Sequence, residues 1–499
     1  MNWKVIWRSF KYDDMRKRIF AVFGMIVVFR ILAQIPIPLA DPTTLKELLD
    51  TLFTATQDTQ LFGFLDVLSG GALANFSIML IGLGPYINAS IIMQLLTQAI
   101  PKLEALNKEG EYGRKKINQI TRMITLPLAI VQSIGAIVLV RQQAQQISGI
   151  DITANASLAN WVLMIAALTG GAMLLMWLGE LITEQSIGNG ISLLITAGIV
   201  SQLPATIAGI ATSIFSGDET VNLFGRTINY RSESLIIALI LLFSVVLTTW
   251  VVVKLNEASR RITINYAKRV QGNRAYGGVT TILPVKLITA GVIPIIFAVA
   301  FLSVPSFLGQ ILSGNASANL AELGNNLILW FQTPTSATFA QPGWVPYIYP
   351  ITYFTLIVMF TYFYTSITFN AKEIAENLQK QGGFIEGIRS GKETEKYLRG
   401  VVTRLTFFGS ISLGLIALGP IVAQIFLDTS ITVGGTGVLI LVAVALETLR
   451  QVESRALMVT YDDYSSPDYF SGDDNKKQKK SIKNLFRKSR GKLTPSKSK

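Results

Sequence analysis

The stretch that decides the fold runs from Leu61 to Gln98 and reads LFGFLDVLSGGALANFSIMLIGLGPYINASIIMQLLTQ. Its first part, Leu61–Leu68, is too short to cross a bilayer, carries an aspartate and ends near two consecutive glycines. A second apolar run of spanning length follows, with glycine, proline and asparagine inside it. Because lipid satisfies no peptide group, irregular backbone at membrane depth is tolerated only where protein surrounds it or where it lines a water-filled cavity. The stretch therefore predicts a path through a membrane.

The composition around this stretch is that of an integral membrane protein. Half of the 499 residues are hydrophobic and only 15% are charged. A hydrocarbon core about 30 Å thick needs roughly 20 apolar residues per helix. The spans predicted on that scale are Ile19–Leu39, Phe76–Gln98, Ile120–Val140, Trp161–Gly179, Ile191–Ala211, Leu235–Val253, Leu287–Leu312, Tyr347–Phe369, Val401–Ile421 and Ile431–Leu446.

Lysine and arginine are concentrated on one side of these ten spans. Residues 1–18, 100–122, 254–286, 371–404 and 450–499 hold 39 of the 44. Short cytoplasmic loops collect positive charge, so we expect both termini in the cytoplasm. The end of the chain is basic and lacks acids, which is typical of a tail attracted to anionic lipid or to RNA.

The spans divide into two halves of five helices. We expect a cytoplasmic N-terminus over residues 1–18, a first half over 19–212, an external connector over 213–233, a second half over 234–450 and a basic cytoplasmic tail over 451–499. Two halves with odd numbers of spans imply inverted topology, which places a pathway at their interface. No clear sequence repeat accompanies this division.

Two cytoplasmic loops are unusually long and basic. Within residues 254–286, the alternating segment Arg261–Tyr266 predicts a small hairpin. Within residues 371–400, the helix-like segment AKEIAENLQKQ is followed by several glycines. For any single lysine, topology determination is the simpler interpretation, but the length and turn-forming glycines favour docking structures.

Several kinds of chemistry are excluded or unsupported. The chain has no cysteine and no histidine, which excludes disulfides, thiol catalysis and the usual zinc sites, and we expect no cofactor. Residues 387–393 lack the glycine spacing of a phosphate-binding loop. We expect Glu180 and Glu184 to start or cap the following span. Arg30 lies inside the first span, where it either has a function or reaches towards the external interface.

Six segments in order resemble the signatures of one family. They are Ser69–Leu73 (SGGAL), Pro85–Ile92 (PYINASII), Ile187–Ser192 (IGNGIS), Asn265–Arg269 (NYAKR), Ala290–Pro294 (AGVIP) and Gly434–Thr436 (GGT). From the first span to about Arg455, the chain resembles the SecY family, the channel subunit of the bacterial protein translocase.

The resemblance implies an all-α integral membrane protein with ten transmembrane helices in two inverted five-helix halves, which form an hourglass channel with a plug half-helix. Such a channel is not an enzyme. It passes unfolded secretory polypeptides across the cytoplasmic membrane and releases transmembrane segments sideways into lipid.

The resemblance also implies roles for particular residues. The plug over residues 61–74 would include Leu61, Phe64, Leu65, Leu68, Gly70 and Gly71. The waist of the hourglass would be a ring of Leu83, Ile87, Ile191, Ile195, Ile296 and Ile440. The helices from Phe76 and Leu287 would separate at a lateral gate, where Asn88, Gln94 and Thr97 place polar groups that are either gating contacts or static ones. The partner-docking residues would be Arg260, Arg261, Lys268, Arg269 and Arg389.

The spacing within the ring fits a common purpose. Leu83 with Ile87, and Ile191 with Ile195, are four residues apart and share one helix face. A constriction of branched apolar side chains expels water and blocks ions, yet it offers no hydrogen bonds to hold a passing chain. The ring assignment itself comes from the resemblance.

The implied partners are the ribosome, the motor ATPase SecA, small membrane subunits resembling SecE and SecG, signal-bearing precursor proteins and membrane lipid. The sequence departs from the family pattern at three positions. Ser390 and Thr263 replace common prolines in the docking loops, and Leu83 replaces a common isoleucine in the ring.

Two other classes of protein remain as alternatives. A secondary transporter also uses inverted halves and broken helices, but it places coordinating groups at mid-membrane, where this chain is aliphatic. An intramembrane enzyme would need paired catalytic groups, which the spans lack.

Overall fold

The computed structural model describes the backbone of most of the chain. The described residues are 13–37, 77–148, 157–215, 219–223, 226–230, 232–266, 269–271, 274–276, 280–313, 318–331, 334, 339, 343–426 and 435–465. The predicted plug over residues 61–74 lies outside them, and so do residues 1–12 and the tail beyond Ser465.

Helices dominate the described residues. They are α1 (Asp13–Leu32), α2 (Gly84–Ala99), α3 (Pro101–Lys108), α4 (Glu111–Ser148), α5 (Leu158–Glu184), α6 (Gly190–Phe215), α7 (Ser232–Glu257), α8 (Ile293–Ser313), α9 (Ala318–Phe331), α10 (Val345–Thr368), α11 (Ala371–Lys380), α12 (Lys392–Phe426) and α13 (Gly435–Ser465). The strands are β1 (Glu219–Leu223), β2 (Arg226–Tyr230), β3 (Ser259–Tyr266), β4 (Arg269–Gln271), β5 (Arg274–Tyr276), β6 (Thr280–Lys286) and β7 (Gly383–Phe384).

The predicted spans coincide with helices. Each of the ten overlaps one helix, namely α1, α2, α4, α5, α6, α7, α8, α10, α12 or α13. Six stretches of the described helices are long and apolar enough to cross a membrane, and the one in α7 has a mean hydropathy of 2.8. Such helices satisfy their backbone groups internally, as lipid requires. The all-α membrane fold is therefore confirmed, whereas the count of ten crossings stays a prediction.

Two helices begin later than the hydropathy predicts, and they do so in the same way. Helix α2 begins at Gly84 instead of Phe76, and α8 begins at Ile293 instead of Leu287. Gly82 and Gly291 both have a φ of 63°, in the left-handed region that favours glycine. A proline follows each glycine three residues later and lies in the first turn, where its missing N–H costs nothing.

The helices that match the predicted spans form two groups that meet along two seams. The first group is α1, α2 and α4–α6, and the second is α7, α8, α10, α12 and α13. Along the first seam, α2 and α4 contact α8. Along the second seam, α6 contacts α7 and α13, and the hairpin β1–β2 connects α6 to α7. The two seams are therefore unequal, because only the second has a covalent link between the groups.

The two basic loops fold into one unit, which we call the loop unit. The predicted hairpin is confirmed, since β3 pairs antiparallel with β6 from Ser259↔Lys286 to Asn265↔Thr280. Strand β7, from the other loop, pairs with the opposite edge of β3. The predicted helix is also confirmed as α11. A small core of Ile262, Val285, Ala371, Ile385 and Leu398 holds the unit together.

The expectation that Glu180 and Glu184 start or cap the following span is wrong. Both lie at the C-terminal end of the preceding helix, α5. The side chain of Asn189 caps α6 instead, since its Oδ1 accepts from the backbone N–H of Ile191 at 3.1 Å. Glu180 forms a salt bridge with Arg122, which joins α4 to α5.

Candidate pore, gate and docking surface

The six candidate ring residues share one hydrophobic core. Leu83, Ile87, Ile195, Ile296 and Ile440 are buried members of the cluster that draws on both helix groups, and Ile191 is partly buried against it. The most exposed of the five buried side chains, Ile296, is only 8% exposed. The cluster is large, so shared membership shows burial in a common apolar interior. Convergence of the six on one axis stays a prediction.

The local fold places these side chains at the beginnings of four helices. Leu83 is the N-cap residue of α2, and Ile87 lies four residues further on. The other four lie in the first two turns of α6, α8 and α13. The left-handed turn at Gly82 therefore sets where Leu83 and Ile87 lie, and the turn at Gly291 does the same for Ile296.

This shared turn is the feature that the sequence analysis missed. The signal was available as Gly-x-x-Pro, which occurs at Gly82–Pro85 and again at Gly291–Pro294. The two copies lie at the start of the second long helix of each group. Matching backbone at matching positions is what two related halves would produce.

Acidic clusters and the one arginine inside the first span bear on what the interior could bind. Among the described residues, no group of three or more acidic side chains could hold a metal ion. Arg30, in the first span, donates its Nη1 to the hydroxyl of Ser201 at 2.9 Å and so joins α1 to α6. This contact between two helices agrees better with a structural role for Arg30 than with an arginine that reaches only towards the membrane interface.

The candidate gate residues lie on α2, the helix that contacts α8 at the first seam. Thr97 is buried and donates its hydroxyl to the carbonyl of Met93 at 2.7 Å, and Gln94 donates its amide to the hydroxyl of Ser90 at 3.2 Å. Both bonds stay within α2, so they do not tie α2 to α8. Asn88 is half-buried on the same helix. The hydrogen bonds of Thr97 and Gln94 therefore do not hold the seam closed. The gating role of the three candidate residues stays a prediction.

The candidate docking residues that the structure describes lie on the loop unit. Arg260 and Arg261 are exposed on β3, opposite Val285 and Pro284 of β6. Lys268 lies outside the described residues, and the description of Arg269 is limited to its backbone, at the start of β4. Because successive side chains of a strand alternate between its faces, Arg260 and Arg261 are exposed on opposite faces of β3. The side chains of Lys268 and Arg269 are not described.

Arg389 projects from a tight loop between β7 and α12. Its side chain is exposed, and its carbonyl accepts a hydrogen bond from the hydroxyl of Thr394 at 3.0 Å. The next residue but one, Gly391, has a φ of 99°. The Thr394 hydrogen bond and the left-handed Gly391 therefore fix the shape of this loop. They do so although Ser390 stands where the family commonly has a proline.

Comparison with known proteins agrees with this architecture. A family model for SecY matches residues 77–449. The protein translocase subunit SecY of Corynebacterium glutamicum is 41% identical over 466 residues, which is 91% of this chain and 98% of the relative. This chain belongs to the SecY family. Another SecY-family relative, the protein translocase subunit SecY of Streptomyces coelicolor, is 39% identical and covers 92% of this chain and 98% of its own length.

Solved structures share the SecY fold at low sequence identity. One described as the structure of a protein conducting channel is 19% identical, with a TM-score of 0.56, over 86% of this chain and 90% of the other. Sec61 in a canine ribosome–channel complex is 17% identical, with a TM-score of 0.51, over the same shares of the two chains. At this identity the likeness shows the fold alone.

Proposed function

We propose that this SecY-family chain forms a protein-conducting channel that passes unfolded polypeptides across the membrane and releases apolar segments into lipid. The observation that supports this most is the aliphatic interior built from both helix groups, with the six candidate ring residues at the beginnings of their helices. Branched aliphatic side chains seal by excluding water and offer nothing for a polypeptide to hydrogen-bond. A transporter would need fixed polar ligands at this depth.

The lateral gate is the first seam, between α2 and α8. It lies away from the covalent connector, which closes the second seam. The two helix groups can therefore separate at the first seam while the connector keeps them together. The plug is the segment over residues 61–74.

The loop unit is the docking surface for whatever drives transport, and it faces the cytoplasm. It presents Arg260 and Arg261 on a strand and Arg389 on a fixed loop, all exposed. Arginine makes forked contacts with carboxylates and phosphates, so the surface suits the ribosome and the motor ATPase SecA alike. Ribosome docking has a precedent in the canine ribosome–channel complex. Small subunits resembling SecE and SecG complete the proposed assembly, in the cytoplasmic membrane with both termini in the cytoplasm.

Reconstitution tests this function directly. Vesicles carrying the chain, its small subunits and a motor ATPase should protect a signal-bearing precursor from added protease, in an ATP-dependent manner. A precursor without its signal should remain accessible, as should the signal-bearing precursor when ATP is omitted. If the signal-bearing precursor stays accessible while ion-gradient-driven uptake of a small solute is found, the transporter alternative replaces the channel.

A further inference from the structure

A polar cluster lies where the basic hairpin joins the second helix group. Arg450, on α13, donates its Nη1 to Oδ1 of Asn256 at 3.3 Å and its Nη2 to the Asn256 carbonyl at 2.9 Å. Asn256 is in the last turn of α7, where carbonyls have no partner inside the helix and attract positive charge. Arg450 thus fastens α13 to the end of α7.

Glu447 lies one turn before Arg450 and faces the start of α8. Its half-buried carboxylate accepts a hydrogen bond from the amide of Gln451 at 3.5 Å. A methyl group placed on Gly291 would come within 3.9 Å of its Oε2. Gly291 is the left-handed residue just before α8. The carboxylate therefore lies next to the turn from which the gate helix begins.

Lys286 completes the cluster from the hairpin side. It is the last residue of β6, five residues before Gly291. Partial desolvation lowers the pKa of Lys286 below its ordinary value, the Arg450 charge lowers it further, and the Glu447 carboxylate partly offsets both. The charges of Glu447 and Arg450, both on α13, therefore act on Lys286 at the end of β6.

The segment between Lys286 and α8 is hydrogen-bonded at its hairpin end and borders a small cavity. The backbone N–H of Leu287 donates to the carbonyl of Ala258 at 2.9 Å, which fixes the hairpin end. Beyond it, a cavity of about 20 Å³ lies between Gly291, Ile295 and Leu413. The turn that precedes α8 therefore borders a small apolar gap.

We propose that Glu447 is a positioning residue that holds the start of α8 against α13 in the closed channel and thereby sets how readily the first seam opens. This inference depends on the proposed function, because it takes the α2–α8 seam as the gate. Residues 287–292 are the covalent link from the hairpin to α8, so movement of a docked hairpin reaches the gate through them. A contact made mainly in the closed state favours that state, and its removal shifts the population towards opening.

The test measures the seam itself. The chain has no cysteine, so a spin-label pair can be introduced at Ile92 on α2 and Phe301 on α8, both exposed. Pulsed electron paramagnetic resonance in nanodiscs then gives the distance distribution without any partner. Glu447→Gln keeps the shape and removes the charge, and we expect it to raise the long-distance population at least about fivefold. The control variant Glu376→Gln changes an exposed acid on α11. It should give the same distance distribution as the spin-labelled chain without a further substitution.

Two further variants separate positioning from a general loss of stability. Lys286→Gln should shift the distances in the same direction, and the double variant should shift them less than the two single effects combined, because the residues share one interaction. Glu447→Asp should restore most of the closed population. If the Glu447→Gln variant has the same melting temperature and the same distance distribution as the labelled chain that keeps Glu447, the inference is wrong.

This outcome is distinguishable from failure of the channel proposal. The distance measurement needs no transport, and precursor protection by the unsubstituted chain is measured separately. Unchanged distances in a channel that translocates refute the role of Glu447 alone. Absence of translocation by the unsubstituted chain refutes the proposed function, and the inference with it.

Discussion

Replacement of Ile440 by asparagine tests the aliphatic ring. The Ile440 side chain is 6% exposed and packs in the core cluster shared by both helix groups. In the closed channel the new amide would be buried without a partner, at a cost of about 1–3 kcal/mol. In the open channel, water would hydrate it. The closed state is therefore destabilised relative to the open state by that amount, which raises the open population about 5- to 150-fold.

The assay is halide leak from vesicles that enclose a halide-sensitive dye, with no partner present. Ile440→Asn should leak faster, and it should also admit precursors with weakened signals. Ile440→Val removes one methylene, adds no polar atom and should seal normally. Ile357→Asn is the matched control, because Ile357 is fully buried in the same cluster but has no place in the proposed ring. It should lower thermal stability without opening a leak.

Two results would refute this reasoning. A folded Ile440→Asn channel that leaks at the unsubstituted rate would show that water does not reach the side chain in any open state. Equal leaks from the asparagine variants at Ile440 and Ile357 would show that general damage to the core, and not a ring, controls the seal.

Two further predictions concern docking and packing. Arg389→Glu should slow precursor transport severalfold while the melting temperature stays unchanged, because the exposed side chain contributes to docking and not to the fold. Lys372→Glu, on the same unit, should slow transport less. An unchanged transport rate for Arg389→Glu would remove Arg389 from the docking surface. Gly190→Ala should sharply lower the yield of folded protein in detergent, because the added methyl group would clash with the carbonyl of Gly179 and force α5 and α6 apart. Gly170→Ala, which meets nothing within 4 Å, should be neutral, and equal yields for both alanine variants would contradict the packing.

Features set by local sequence were predictable here. Runs of about 20 apolar residues locate membrane helices because a helix is the simplest way to satisfy backbone groups in lipid. The alternation from Arg261 to Tyr266 predicted β3 because side chains alternate between the two faces of a strand. The distribution of lysine and arginine separated the long basic loops from the rest of the chain.

Features that depend on distant contacts were not predictable in the same way. The pairing of β7 with β3 joins residues more than a hundred positions apart, and neither strand alone indicates it. Hydropathy placed the starts of α2 and α8 too early, because apolar residues continue through the left-handed turns at Gly82 and Gly291. The pairing of Glu180 with Arg122 likewise depends on how α4 and α5 pack. The ring and gate roles came from family resemblance, since an isolated aliphatic residue carries no functional signal.

The most direct test of the central claim is disulfide cross-linking to a chain stalled in transit. Because the channel has no cysteine, one can be placed at each candidate ring position in turn, opposite a single cysteine in the stalled precursor. A polypeptide that threads through the ring should cross-link to all six ring positions and not to Ile357→Cys. A cross-link from Ile357→Cys, with none from the ring positions, would show that the polypeptide takes another path.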